Sequence, residues 1–168
     1  MAKAIRFHET GGPEVLELET VEVGEPGPGQ ARVRHTYVAV NFIDIYFRTG
    51  RYPLALPEGV GSGLGSDAVG VVEAVGDGVT DIKPGDRVGY LLGPQGAYAD
   101  VRVMPAEVLI PLPDGVSDRT ASTLMMKGMT AQYRSARSIR CTAVRRSCTT
   151  PPRAVSAWWP ANGHARSA

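Results

Sequence analysis

The sequence predicts a mainly β fold, a barrel or sandwich of short strands followed by one C-terminal helix. Two observations lead there. Turn signals rich in Gly and Pro recur about every 8 to 12 residues through the first two thirds of the chain, separated by short alternating or apolar runs. Beyond Leu112 the spacing of apolar residues becomes helical, with Ala121, Leu124, Met125 and Met129 on one side.

Taken in order, Lys3–His8 and Val15–Val23 read as strands flanking a turn at Gly11-Gly12-Pro13. Glu25–Gln30 (EPGPGQ) is a turn by composition. Ala31–Val40 alternates through its first half, as a half-buried strand does. Asn41–Thr49 is expected to form a short helix ended by Gly50. Val69–Val75 is a continuous apolar strand with one Glu, stopped by Gly76-Asp77-Gly78. Lys83-Pro84-Gly85-Asp86 turns the chain into a strand over Arg87–Leu92, followed by strands over Ala97–Val103 and Val108–Leu112. Ser117 or Asp118 then caps a helix running to Tyr133. Its methionines are expected as core filler.

The 168 residues are 43% hydrophobic and 21% charged, the balance of a globular domain. No run reaches the roughly 18 to 20 apolar residues of a membrane span, and the N-terminus lacks the apolar centre of a secretory signal. A cytoplasmic location with no membrane partner is the expectation. The overall charge of +1 conceals a sharp division. Residues 134–168 hold seven Arg and no Asp, Glu or Lys, which leaves eleven basic against seventeen acidic residues, a net −6, in residues 1–133. Both cysteines and both tryptophans also lie in the tail. The chain is therefore divided near Tyr133 into a β-rich body, 1–133, and a basic tail, 134–168, expected to be irregular or disordered.

The body carries a series of motifs. FHETGGPEVLELE opens it, NFIDIYFRTGRYP spans Asn41–Pro53, GVVEAVGDGVTDIKPGDRVGY spans Gly70–Tyr90, GAYAD spans Gly96–Asp100 and KGMTAQY closes it at Lys127–Tyr133. In this order they resemble the N-terminal half of zinc-independent quinone oxidoreductases of the medium-chain dehydrogenase/reductase superfamily. The resemblance covers about 133 of the 168 residues. It implies a GroES-like β-barrel forming one wall of a cleft, opposite a nucleotide-binding Rossmann domain. It also implies hydride transfer from NADPH to a quinone or related conjugated carbonyl, and a homodimer in intact relatives.

No metal is expected. Zinc sites draw on thiolate and imidazole, and the body contains no cysteine. Asn41 stands where zinc-dependent relatives place a Cys, and Ser66-Asp67 where they place a His and an acidic residue. His8 and His35 fall on strands and read as half-exposed residues rather than ligands. Without a Lewis acid, the developing oxyanion needs hydrogen-bond donors. The resemblance implies Asn41 and Tyr46 as catalytic residues, with Tyr46 and Tyr52 lining the quinone side. An amide donates to a carbonyl oxygen, and a tyrosine combines a flat apolar face with a donor. Packing of the short helix onto the barrel is the alternative role for the two tyrosines. The resemblance implies cofactor contacts for Asn41, Phe42, Ile43, Asp44, Lys127 and Thr130; Asp44 reads equally as a helix-start residue.

One stretch departs from the family. Leu56–Ala68 (LPEGVGSGLGSDA) is longer and richer in Gly than the usual approach to this strand, with Asp67 in place of Glu. A phosphate-binding loop is not expected there, since strand, loop and helix do not follow in βαβ order.

The tail shows no strand period, apolar helical face or glycine-rich turn, whereas a Rossmann domain opens on strand, glycine turn and helix. Two readings stand. In one it is a basic extension able to touch nucleic acid or acidic surfaces. In the other it is translated out of frame: with wobble bases chosen freely, Thr150–Ser156 admits A-A-A-G-G-V-G one frame away. Three functions follow. The chain is the substrate-side part of a quinone oxidoreductase, inactive without its cofactor domain; or a non-enzymatic GroES-like binding module with a nucleic-acid-seeking tail; or a structural barrel that oligomerises through an exposed face.

Overall fold

The computed structural model describes residues 1–57 and 62–135. The first compact unit is Met1–Thr123; of the second, which starts at Leu124, residues 124–135 are described, and each unit is treated by itself. Apart from its first two residues, the tail, 134–168, lies outside the described residues, and with it its two readings.

Among the described residues, eight strands form two sheets. β1 (Ala2–Phe7), β2 (Glu17–Val21) and β4 (Ser62–Gly63) make a three-stranded sheet in the order β2-β1-β4. β3 (Gln30–Val38), β5 (Asp67–Val75), β6 (Arg87–Leu91), β7 (Val101–Pro105) and β8 (Ile110–Pro111) make a five-stranded sheet in the order β7-β3-β5-β6-β8. All pairings are antiparallel. Helix α1 (Phe42–Arg48) follows β3, and α2 (Asp118–Tyr133) follows the last strand. The mainly β architecture with one C-terminal helix is thus as expected.

Alternation explains β3. Ala31 and Val33 are fully buried, while Arg32 and Arg34 project to the other face, where both pair with Glu73 of β5. β5 has no such alternation over its first half: Asp67 to Gly70 are all buried, a strand covered on both faces. The core gathers Ala31, Val33, Ala68, Val72, Val88, Tyr90 and Met104. Burial of a side chain the size of Met104 contributes about 2 kcal/mol. Gly70 is required by proximity, for a Cβ there would stand 2.2 Å from the Arg34 carbonyl oxygen.

Several boundaries differ from expectation. Pro13–Val15 forms a 3-10 turn, so the strand expected from Val15 starts at Glu17. Proline sets φ for such a turn and has no N–H for a ladder. The strand expected over Ala97–Val103 starts at Val101. Residues 97–100 instead join the two sheets: Tyr98 O accepts from Ile5 N at 2.7 Å, Asp100 N donates to Lys3 O at 2.9 Å, and Asp100 O accepts from His35 N at 2.8 Å. The two-residue β4 had no legible period. At the start of α2, Ser117 is the cap, its Oγ accepting from Thr120 N at 3.2 Å. Asp118 instead accepts from Arg87 (2.6 Å) and Thr36 (2.7 Å). Met129, expected in the core, is 53% exposed.

Candidate functional site

The site is built where β3 ends. Its pairing with β5 runs to Val38↔Ala68, and one more ladder bond joins Ala39 N to Asp67 O at 3.2 Å. A register shift between His35 and Tyr37 twists the strand just before this point. Two residues on, Asn41 opens α1 in extended backbone, with its N–H donating to Asp44 Oδ2 at 2.8 Å. This is the reciprocal half of a capping box. The Asn41 side chain reaches back across the sheet end, and its Nδ2 donates to Asp67 Oδ1.

Beneath Asn41 lies a buried polar cluster. Asp44, Ser66 and Asp67 are at most 3% exposed. Asp44 accepts from Ser66 Oγ at 3.0 Å and from Tyr98 Oη at 2.8 Å in addition to the Asn41 N–H. Gln95 Nε2 donates to Ser66 Oγ at 3.1 Å. Burial, reinforced by the hydrogen bond to Asp44, pushes the Tyr98 phenol well above its ordinary value, so it stays protonated and donating. Asp44 is thus the helix-start residue that its position allows, with its carboxylate turned inward and engaged.

The opposite face of α1 is aromatic and open. Phe42 and Tyr46, one turn apart, meet edge to face with centroids 6.2 Å apart. Tyr46 meets Tyr52 at 5.4 Å, Tyr52 meets Phe47 at 5.8 Å, and the Arg51 guanidinium lies 4.9 Å over the Tyr46 ring. Phe42 is 75% exposed and Tyr52 43%. The tyrosines therefore pack on each other and on α1, and they still present surface. Ile43 is half-buried. Lys127 and Thr130 are exposed on the C-terminal part of α2, the Thr130 hydroxyl bonding Met126 O at 2.7 Å. The structure joins Asn41 and Asp44 in the buried polar cluster, and Phe42, Tyr46 and Tyr52 in the aromatic face on the other side of α1; Lys127 and Thr130 belong to the second unit and are described by themselves.

Ser66, Gln95 and Tyr98 were not legible as a cluster, because they come from two separate loops. The available signal was a pair of polar residues, Ser66-Asp67, leading directly into a continuous apolar strand. A separate groove of about 470 Å³ lies between β1 and β3, lined by Ile5, Leu18, Val38, Val40 and Tyr98 among others, and none of the expected site residues lines it.

His35 is no ligand. Its Nδ1 lies 2.6 Å from Ala99 O and its Nε2 3.0 Å from Tyr90 Oη. Burial lowers its pKa, so the neutral ring donates from Nδ1 and accepts at Nε2. Exposed His8 contacts Glu19 at 2.6 Å and, with Glu17, forms a surface cluster away from Asn41. The glycine-rich stretch before Asp67 leads into strand β5, not a helix, so it offers no helix N-terminus to a phosphate.

Such a two-sheet domain, with a capped helix opening at the end of a central strand, defines a class, and comparison with known proteins agrees. Residues 27–114 match the model of the alcohol dehydrogenase GroES-like domain, and the chain belongs to that family. The chain is 50% identical over 133 residues to a quinone oxidoreductase of Pseudomonas aeruginosa, covering 79% of this chain and 40% of that protein. It is 47% identical over 136 residues to a 2-haloacrylate reductase of Burkholderia, again covering 79% of this chain and 40% of the relative. Among solved structures, a quinone oxidoreductase of Pseudomonas syringae superposes with a TM-score of 0.79 at 48% identity, covering 84% of this chain and 43% of the other. The Escherichia coli quinone oxidoreductase complexed with NADPH gives 0.76 at 38% identity, covering 82% and 41%. The chain spans about two fifths of the length of these relatives. Among the described residues, no helix is long and apolar enough to cross a membrane.

Proposed function

We propose that residues 1–133 form the quinone-side wall of an NADPH-dependent oxidoreductase acting on a quinone or related conjugated carbonyl. The observation that carries this is one short helix that holds Asn41, an amide anchored on a buried carboxylate, at its start and an open aromatic face of Phe42 and Tyr46, extended by Tyr52, along its other side. A flat conjugated ring stacks on such a face, and an amide N–H answers the partial charge that grows on a carbonyl oxygen during reduction. Asn41 and Tyr46 are the proposed catalytic residues, with Tyr52 completing the wall. NADPH, when bound, supplies the hydride; the quinone also takes up a proton to become the hydroquinone.

The described residues fit only the edge of that cofactor. In the first unit the Asn41 amide and the exposed Phe42 with its neighbour Ile43 suit nicotinamide or ribose contacts; in the second, taken by itself, Lys127 and Thr130 carry groups that suit a phosphate. Asp44 would act through its hold on Asn41. A glycine turn feeding a helix N-terminus, which would cradle the pyrophosphate, does not occur among the described residues. Residues 134–168 are proposed to be out-of-frame translation. The change from net −6 to +7 at Tyr133, where the 133-residue match gives out, supports that reading.

The test is titration of the ¹⁵N-labelled chain with duroquinone, whose fully substituted ring has no open position for thiol addition. Shifts confined to the amides around Asn41, Tyr46 and Tyr52 are expected; none there, or shifts spread over the whole surface, would overturn the reading. NADPH fluorescence should show no saturable binding to the same sample.

A further inference from the structure

We infer that Asp67 and Asp44 are positioning residues for Asn41, two buried carboxylates that fix the plane of its amide against the substrate oxygen. The inference rests on the proposed role of Asn41 and deepens it.

Burying a carboxylate is costly unless donors surround it. Asp67 is 1% exposed at the first position of β5, in a run where Ala68, Val69 and Gly70 are buried too. An apolar side chain would serve the barrel better there. What the carboxylate does instead is accept from the Asn41 Nδ2. A carboxylate has no proton to give, so the amide must turn its nitrogen, not its oxygen, toward Asp67. That sets an orientation which the broad torsion of an asparagine amide would otherwise leave free.

Asp44 holds the same residue by its backbone, through the Asn41 N–H at 2.8 Å. A carboxylate serving only as a helix-start acceptor needs that one bond. Asp44 is instead buried and takes two further donors, Ser66 Oγ and Tyr98 Oη, with Gln95 behind Ser66. The backbone of Asp67 adds a further hold two residues before Asn41, accepting from Ala39 N. The end of β3, the start of α1 and the start of β5 thus converge on one amide.

The experiment uses the labelled 168-residue chain and the variants Asp67→Ala, Asp67→Asn and Asn41→Ala. In the wild type one Asn41 side-chain amide proton should be displaced downfield and slow to exchange. Asp67→Ala should abolish both effects, and Asp67→Asn, which keeps an acceptor oxygen, should restore them in part. Duroquinone affinity should fall about three- to tenfold in Asp67→Ala, the scale of freeing one side chain, and Asp67→Ala should have no effect in an Asn41→Ala background. An equal loss in both backgrounds, or an unchanged Asn41 amide in Asp67→Ala, would overturn the inference. If duroquinone fails to bind the wild type, the proposed function fails, and the amide spectrum alone still decides whether Asp67 fixes Asn41. If Asp67→Ala does not fold, a degenerate and fast-exchanging Asn41 amide in the wild type would overturn it.

Discussion

At the scale of single residues, burial favours the neutral form of His35, Tyr90 and Tyr98. His35 is the clearest case, wedged between Ala99 O and Tyr90 Oη, with its pKa lowered from 6.5 chiefly by burial. The folded state therefore binds its proton less readily than the unfolded state. The associated stability is present above pH 6.5 and is lost as pH falls through the depressed value. Thermal melts from pH 7.5 down to pH 5 should show a decline that is flatter in His35→Gln, with a slope difference of at most about 1.4 kcal/mol per pH unit. Equal slopes in the two proteins would refute this. Asn41, Tyr46 and Tyr52 could be picked out from the chain because the motif that holds them, NFIDIYFRTGRYP, is contiguous. Ser66 and Asp67 drew notice only through the resemblance, not as partners of Asn41 and Asp44. Gln95 and Tyr98 meet Ser66 and Asp44 only through loop contacts, and no local period records such contacts.

At the scale of elements, legibility followed backbone chemistry. Strands with an alternating or continuous apolar pattern, such as β3, β5 and β6, were found within two residues. Those that depend on a partner were not: β4 is two residues long, and residues 97–100 bond to β1 and β3 without forming a regular strand. Two substitutions probe how tightly the elements meet. Gly70→Ala would drive a Cβ into the Arg34 carbonyl across the β3–β5 pair. Overpacking of this kind costs about 1 to 3 kcal/mol, whereas Gly24→Ala, with no atom within 4 Å of the added Cβ, should be near neutral. Urea denaturation of the pair checks the contrast. Ser117→Ala removes the cap acceptor of α2 and should cost about 1 kcal/mol in the same assay.

At the scale of the molecule, several large apolar side chains among the described residues are exposed. Leu18 (67% exposed) and Val40 (75%) lie along the groove between β1 and β3, and Phe42 stands open nearby in sequence. Apolar surface of this kind drives self-association. The double variant Leu18→Ser, Val40→Ser should lower the scattering-derived size of the chain at high concentration while leaving its melting temperature within a few degrees. An unchanged size would show that this groove is not where copies meet. The reading of the tail is tested at the level of the gene. Sequencing across codons 130–140 should reveal a shift of frame, and a confirmed frame with no glycine motif in the alternatives would end that reading.

The bridge made by residues 97–100 also bears on the order in which the molecule can assemble during synthesis. The β1–β2 hairpin is complete as soon as Val21 has emerged, but the Lys3 amide finds the carboxylate of Asp100 only 97 residues later. At ribosomal rates of about 5 to 20 residues per second, that is a wait of roughly 5 to 20 seconds. Throughout that interval the nascent chain displays a first strand paired along one edge to β2, while Lys3 and Ile5 on its other edge still lack their partners at residues 98–100.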